Sequence, residues 1–223
     1  MDNTTRLQYL EAMGIDVWLP RVLADLQQAP VSEVTAETID SWEALRTEVA
    51  QCTQCGLCET RSQTVFGSGD ENADWMIIGE APGQSEDQQG LPFVGKAGLL
   101  LTEMLRAIDI DRDKVFITNA VKCRPPNNRE PKSIEVETCK TYLLRQQALL
   151  KPKIILALGH VAAKAVLNTD EPIAELRGKT HALNGTPVVV VYHPAYLLRS
   201  LLDKRKAWAD LKFTMQIVKN IKG

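Results

Sequence analysis

Four short runs of β-favouring apolar residues alternate along this sequence with longer segments of helical periodicity, and this alternation limits the possible folds. The runs lack polar alternation, as expected of strands covered on both faces. Strands that alternate with helices of this length favour an α/β domain. We therefore predict a three-layer α/β/α sandwich around a short, mostly parallel four-stranded sheet. The predicted strands are Trp75–Gly79, Val115–Asn119, Ile154–Leu158 and Val188–Tyr192. The predicted helices are Gly95–Ile108, Ser133–Leu150, His160–Leu167 and Asp203–Ile221.

The first 48 residues differ from the rest of the chain in charge. They contain nine acidic and three basic residues, so the remainder has a net charge of +4 although the whole chain has −2. Apolar residues recur at helical spacing in this segment. We predict an acidic helical N-terminal extension over residues 1–48, a candidate docking segment for a protein partner, and an α/β domain over residues 49–223. The mildly basic domain permits a polyanionic partner.

Hydrophobic content and the N-terminus indicate the class of protein. Hydrophobic residues make up 44% of the chain, too many for a disordered protein. No apolar run approaches the roughly 20 residues of a membrane span. The N-terminus has neither the basic region nor the apolar region of a secretory signal. We expect a cytoplasmic monomer without a membrane partner.

Five cysteines are spaced as metal ligands rather than as a disulfide framework. Pairs separated by two residues bring two sulfur atoms to one metal or cluster. A ferredoxin pattern would need a fourth cysteine at position 62, which is a serine, so distant cysteines must complete the site. Four thiolates suit either Zn²⁺ or a [4Fe–4S] cluster. The cysteines are Cys52, Cys55, Cys58, Cys123 and Cys139.

Reactive side chains stand at or just after the ends of the predicted strands. In open parallel sheets, ligands bind beyond the carboxyl ends of the strands. Glu80, Asn119 and His193 occupy such positions. A carboxylate, an amide and an imidazole should therefore meet at one edge of the sheet.

Three motifs in order resemble those of the family 4 uracil-DNA glycosylases. The resemblance covers about residues 49–218, and the cysteine spacing matches the [4Fe–4S] ligand pattern of that family at Cys52, Cys55, Cys123 and Cys139, with Cys58 as the spare. Each motif alone is weak, whereas the ordered set is highly specific. The motifs are Gly79–Gly83 with Gln89–Gly98, then Thr118–Pro126, then His193–Leu198.

This resemblance implies removal of uracil from DNA by hydrolysis of the N-glycosidic bond, which leaves an abasic site and initiates base excision repair. The base must first leave the duplex and enter a pocket. Phe93 would stack on the base, and Gly79 and Ala81 would line the pocket. Asn119 would pair with uracil O4 and N3–H, whereas cytosine presents the opposite pattern. His193 would donate a hydrogen bond to O2 and stabilise the departing anion.

The carboxylate that activates water is not defined by the motifs. In the best-known uracil glycosylases an aspartate lies two residues after the opening glycine, and here that position is Ala81. Glu80 or Glu86 must then supply the carboxylate. We favour Glu86 for the water and Glu80 for positioning the pocket and its backbone.

A basic, proline-rich stretch and two leucines are the predicted DNA contacts. Residues 122–132 have a net charge of +3, which suits contact with phosphates. Leu197 or Leu198 is placed to wedge into the base stack. His160 and His181 match no motif and are predicted to be structural. The basic residues predicted to contact DNA are Lys122, Arg124 and Arg129.

Two other classes of protein fit part of the sequence. One is a cluster-carrying DNA-binding protein without glycosylase activity, although Phe93, Asn119 and His193 would then be superfluous. The other is an electron-transfer module, which the absent ferredoxin spacing disfavours.

Overall fold

The computed structural model describes residues 41–222, so the predicted helices before residue 41 lie outside the described range. No helix in this range is long and apolar enough to cross a bilayer. The strands are β1 (Ser68–Gly69), β2 (Trp75–Gly79), β3 (Phe116–Asn119), β4 (Ile154–Leu158), β5 (His181–Leu183) and β6 (Thr186–Val191). The α-helices are α1 (Trp42–Ala50), α2 (Gln84–Gln89), α3 (Lys96–Arg106), α4 (Ser133–Leu150), α5 (His160–Leu167), α6 (Ile173–Leu176), α7 (Pro194–Leu197) and α8 (Lys204–Lys222). Short 3-10 helices span Gly56–Glu59, Arg112–Lys114, Pro126–Asn128 and Leu201–Asp203.

The strands form one sheet in the order β1-β3-β2-β4-β6-β5. The four central strands are parallel and correspond to the four predicted ones. The sheet has six strands rather than four, because β1 and β5 add short antiparallel edges. Asn184 and Gly185, both with positive φ, turn the chain between β5 and β6. An Asn-Gly pair is a strong hairpin signal, so the sequence does mark this edge strand.

Helices cover both faces of the sheet and confirm the predicted α/β class. Alternate strand residues point to opposite faces, so Ile77 and Leu156 join one buried cluster while Ile78 and Ala157 join the other. Helices α3, α7 and α8 pack on the first face. Helices α1, α4, α5 and α6 pack on the second face. This burial on both faces explains why the central strands lack polar alternation.

Helix α1 belongs to the core of the described residues rather than to a separate extension. The Ser41 hydroxyl caps it by accepting a hydrogen bond from the Ala44 N–H at 3.1 Å. Leu45 and Val49 are fully buried, and the helix packs on α4. The boundary predicted after residue 48 therefore falls inside a helix whose apolar side is part of the core.

Candidate active site

A pocket of about 170 Å³ opens at the carboxyl-terminal edge of the parallel strands. The loops that follow β2, β3 and β6 supply most of its walls, as expected for an open α/β sheet. Four residues predicted from the motifs as reactive or base-contacting groups lie on this one surface. The lining residues are Ala81, Gly83, Glu86, Phe93, Ala97, Asn119, His193 and Ala195.

Asn119 lies at the end of β3, opposite Gly79 at the end of β2. It is buried, and its side-chain amide has no hydrogen-bond partner among residues 41–222. A Cβ atom at position 79 would stand 2.4 Å from Asn119 Oδ1 and 2.6 Å from the Phe93 ring. Only glycine therefore lets the amide and the aromatic ring approach the same point.

Phe93 lies in residues 91–95, which we call the aromatic loop. Its φ of 54° is left-handed, which is unfavourable for a bulky residue. The loop packs closely against α3, because a Cβ at Gly98 would stand 1.8 Å from the Phe93 carbonyl oxygen. The Phe93 ring is buried and faces the imidazole of His193, with centroids 5.6 Å apart and planes 29° apart.

His193 precedes α7 and is held as a neutral donor. Its Nδ1 accepts a hydrogen bond from the Ala195 N–H at 3.1 Å, so the proton of the neutral ring is on Nε2. Burial lowers its pKa to about 4; Arg199 lowers it further, while Glu86 opposes the shift. Near neutral pH the imidazole is therefore uncharged and can offer Nε2–H to a ligand.

Glu86, on α2, has one anchored oxygen and one available oxygen. Its Oε1 accepts hydrogen bonds from the N–H groups of Val94 and Gly95, each at 3.0 Å. Its Oε2 has no hydrogen-bond partner among the described residues. The carboxylate thus holds the aromatic loop while one oxygen remains free at the pocket.

Glu80 does not line the pocket, although it follows β2 directly. Its carbonyl accepts a hydrogen bond from the Val121 N–H at 3.0 Å, which joins the loops after β2 and β3. Burial raises the pKa of its carboxyl group, and Glu130 raises it further. The contact between the two loops is made by the Glu80 backbone, so the role predicted for its side chain in positioning the pocket stays a prediction.

All five cysteines line a second cavity, which we call the cysteine cavity. Arg61 Nη1 donates to Cys123 Sγ at 2.9 Å, and the Lys122 N–H donates to Cys139 Sγ at 3.3 Å. Burial raises the pKa of Cys123 to about 11 and also raises that of Cys139, so a bound metal would have to displace their protons.

The donor set of this cavity consists of cysteine sulfurs, which bind either a zinc ion or an iron–sulfur cluster as thiolates. Among residues 41–222, no three His, Cys, Asp or Glu side chains are arranged to hold a metal ion as they stand. Donors such as the Arg61 guanidinium suit sulfur ligands, since hydrogen bonds to them tune such clusters.

Lys122 is buried, so its predicted role in binding DNA is wrong. Its ammonium group donates to Thr118 Oγ1 at 2.6 Å, Gln146 Oε1 at 2.6 Å and the Asn119 carbonyl at 2.8 Å. Burial lowers its pKa to about 8, while the nearby Cys139 and Cys123 oppose this shift. The side chain supports the backbone of Asn119 instead of reaching the surface.

The other predicted DNA contacts differ in accessibility. Leu197 is buried in the core between α3 and α8, so it cannot wedge into DNA, whereas Leu198 is 41% exposed. Arg129 pairs with Glu135 at 2.6 Å at the start of α4, which neutralises much of its charge. Arg124 is half-buried, and its Nε donates to Asn128 Oδ1 at 2.7 Å.

Several residues that shape the site were not predicted. Arg112 and Gln146 contact the site loops across long stretches of sequence, and Asp87, next to Glu86 on α2, accepts a hydrogen bond from the Ser62 N–H. None lies in a spacing pattern that indicates its role. Gly83 could be predicted from the sequence, because it is the last residue of the motif Gly79–Gly83.

Comparisons with known proteins agree with this geometry. A family model of the uracil DNA glycosylase superfamily matches residues 66–212, a range that contains the whole pocket. The chain therefore belongs to the uracil DNA glycosylase superfamily.

Within the superfamily, the chain is similar to type-4 uracil-DNA glycosylases. It is 42% identical over 168 residues to the type-4 enzyme of Archaeoglobus fulgidus, across 72% of this chain and 84% of that protein. It is 46% identical over 159 residues to that of Pyrobaculum aerophilum, across 68% and 81% of the two chains. It is 42% identical over 160 residues to that of Thermotoga maritima, across 71% and 83%.

Proposed function

We infer that the protein is a uracil-DNA glycosylase that hydrolyses the bond between uracil and deoxyribose and leaves an abasic site. The observation that carries this function is that Phe93, Asn119, His193 and Glu86 line one pocket at the edge of the sheet. An aromatic wall, an amide, an imidazole donor and a carboxylate together match what hydrolytic release of a pyrimidine requires.

Phe93 supplies the surface on which the extruded base rests. Removing a base from the duplex costs a few kcal/mol in lost stacking and pairing. Contact with an aromatic face returns part of that cost. The fixed backbone of the aromatic loop keeps the ring in place before the base arrives, so little ordering is needed on binding.

Asn119 distinguishes uracil from cytosine. Its Nδ2 donates to uracil O4 and its Oδ1 accepts from N3–H. Cytosine would present its 4-amino donor to Nδ2, which is also a donor, and its N3 acceptor to Oδ1, which is also an acceptor. Both pairs of buried groups would be left without hydrogen bonds. The amide has no competing partner among the described residues, so it is available to the base.

His193 stabilises the leaving group. Cleavage of the glycosidic bond leaves positive charge on the sugar and negative charge on the uracil. A neutral imidazole that donates from Nε2 to uracil O2 stabilises that anion inside the pocket.

Glu86 acts on the positive charge that develops on the sugar. Its free Oε2 accepts a hydrogen bond from the attacking water, and its negative charge stabilises the cationic sugar. The water adds to the sugar C1′ and gives one proton to Glu86, while uracil leaves with the bonding electrons and then takes up a proton.

Glu86→Gln should lower kcat by about 10²- to 10⁴-fold with little change in affinity for DNA. Glutamine retains an acceptor for the Val94 and Gly95 N–H groups, so the loop stays in place and only the charge and basicity are lost. Single-turnover kinetics and fluorescence anisotropy measure the two quantities. Glu103→Gln, at an exposed ion pair with Arg106, is the matched control. A kcat unchanged by Glu86→Gln would remove Glu86 from the mechanism.

We propose that Cys52, Cys55, Cys123 and Cys139 hold a [4Fe–4S] cluster. Its chemistry here is structural, because it would tie the segment before β1 to the loop after β3 and to α4. The five cysteines that line the cavity and the hydrogen-bond donors to two of their sulfurs support a thiolate-held group, and the resemblance of the cysteine spacing to that of the family 4 enzymes favours the cluster over zinc.

Cys123→Ala should release iron and lower the melting temperature, because metal binding contributes to folding free energy. Iron analysis and visible absorption of the purified protein measure the loss. Cys58→Ala, which changes the spare cysteine of the same cavity, should retain full iron. Iron retained in Cys123→Ala or lost in Cys58→Ala would refute the ligand set.

The DNA contacts follow from accessibility. We propose that exposed Leu198 fills the gap left by the extruded nucleotide, and that Arg124 contacts DNA phosphates. Base excision repair would then continue from the abasic product.

The deciding experiment uses two oligonucleotides that differ at one position, uracil or thymine. After incubation with the protein, hot alkali cleaves any abasic site. Scission only of the uracil strand supports the glycosylase. Absence of scission with intact DNA binding would instead indicate a cluster-carrying DNA-binding protein.

A further inference from the structure

Arg112 contacts the aromatic loop from outside the three motifs. It begins the 3-10 helix Arg112–Lys114 between α3 and β3. Its Nη2 donates to the carbonyl oxygens of Pro92 at 2.8 Å and Phe93 at 3.0 Å. Its Nη1 donates to Thr102 Oγ1 at 3.2 Å on α3. One planar group thus joins the loop to the helix beside it.

The loop is held through both kinds of backbone group. Glu86 accepts from the N–H groups of Val94 and Gly95, and Arg112 donates to the carbonyls of Pro92 and Phe93. Phe93 stands between the two anchors in its left-handed conformation, which costs of order 1–3 kcal/mol unless its surroundings enforce it. Arg112 supplies that enforcement on the carbonyl side.

The charge of Arg112 is unusual in its surroundings. Burial lowers the pKa of its guanidinium group, and within residues 41–222 no carboxylate pairs with it. A partly buried cation that is balanced only by carbonyl and hydroxyl oxygens is expensive. The presence of Arg112 is more easily explained by the conformation that it imposes on the aromatic loop than by a contribution to folding stability.

We propose that Arg112 is a positioning residue for catalysis, which fixes the Phe93 backbone and so holds the ring as the wall on which the base stacks. Arg112 does not line the pocket, so it would act on the base through the aromatic loop and not by direct contact. The expected change in kcat/KM rests on the proposed glycosylase function, but the effect of Arg112 on the Phe93 backbone can be measured separately.

The test is a double-mutant cycle of Arg112→Met and Phe93→Ala. Methionine fills similar space without donors. Arg112→Met should lower kcat/KM for uracil release by about 10- to 100-fold, since small displacements of a positioned group have such effects. In the Phe93→Ala background the same change should have less than about a threefold effect, because coupled residues are not additive. Arg112→Lys, which keeps a donor but not the fork, should recover part of the activity.

The matched control is Arg106→Met, whose side chain is exposed and, within residues 41–222, pairs only with Glu103; it should leave kcat/KM unchanged. Equal losses from Arg112→Met in both backgrounds would overturn the proposal, as would no loss in the wild-type background. Melting temperatures identify any variant that fails to fold.

A readout without catalysis separates this proposal from the enzyme's activity. The chain has four phenylalanines, so ¹⁵N-phenylalanine labelling gives few amide signals, and Phe93→Ala identifies that of Phe93. Arg112→Met should shift this signal and leave that of Phe213 in place. An unshifted Phe93 signal in Arg112→Met would refute the positioning role, whether or not that variant has lost uracil release. An inactive wild-type protein would refute the proposed function, while the signal still decides the role of Arg112.

Discussion

Asn119→Leu is expected to lower kcat/KM for uracil release by about 10²- to 10⁴-fold, because two polar edges of the base would be left unpaired at about 1–3 kcal/mol each. Leucine is close to asparagine in size, so the pocket shape persists. Initial rates on a single-uracil oligonucleotide measure the loss.

The control for this variant is Asn220→Leu, at an exposed position of α8, which should retain full activity. An Asn119→Leu enzyme with near-normal activity would show that the amide does not read the base. Cytosine release should remain undetectable in both variants, since neither offers the pattern that cytosine requires.

His193→Ala is expected to lower kcat by about 10²- to 10³-fold with little change in KM, because the hydrogen bond to O2 strengthens as the leaving group becomes anionic. His181→Ala, in edge strand β5, is the control and should retain kcat. Equal kcat values for wild type and His193→Ala would exclude the imidazole from leaving-group stabilisation.

The pH dependence tests the charge state of His193. Its pKa of about 4 predicts no His193 ionisation in kcat/KM between about pH 5 and pH 8. A cationic imidazole would instead give a loss of rate as the pH rises through about 6.5. The effect of His193 on folding stability appears as the pH falls, not as it rises. The contribution of neutral His193 to folding is complete above about pH 6.5, and it decreases as the pH falls toward 4, because the unfolded chain then binds the proton first.

The central strands and the meeting of the pocket residues could be predicted from sequence because both follow from local patterns. Apolar runs without polar alternation mark strands buried on both faces. Parallel strand ends lie at one edge, which brings Asn119 and His193 together. Edge strand β1 escaped prediction because two residues carry no periodicity.

The errors come from contacts between distant parts of the chain. The basic stretch 122–132 predicts a DNA contact for Lys122, yet Gln146 and Thr118 form an internal acceptor set for its ammonium group. Leu197 and Leu198 are adjacent, and the packing of α7 on α3 decides which is buried. Arg112 meets its loop acceptors about twenty positions earlier in the chain, so no local motif could mark it.

The burial of Lys122 has a consequence for redesign. One residue contributes a backbone N–H to the Cys139 sulfur and an ammonium group to the carbonyl of Asn119. An engineer who wished to build a version without cysteines could not simply exchange them for apolar residues. Such a change would remove the acceptor of the Lys122 N–H, so a replacement acceptor would have to be designed to keep Lys122, and the Asn119 backbone that it supports, in place.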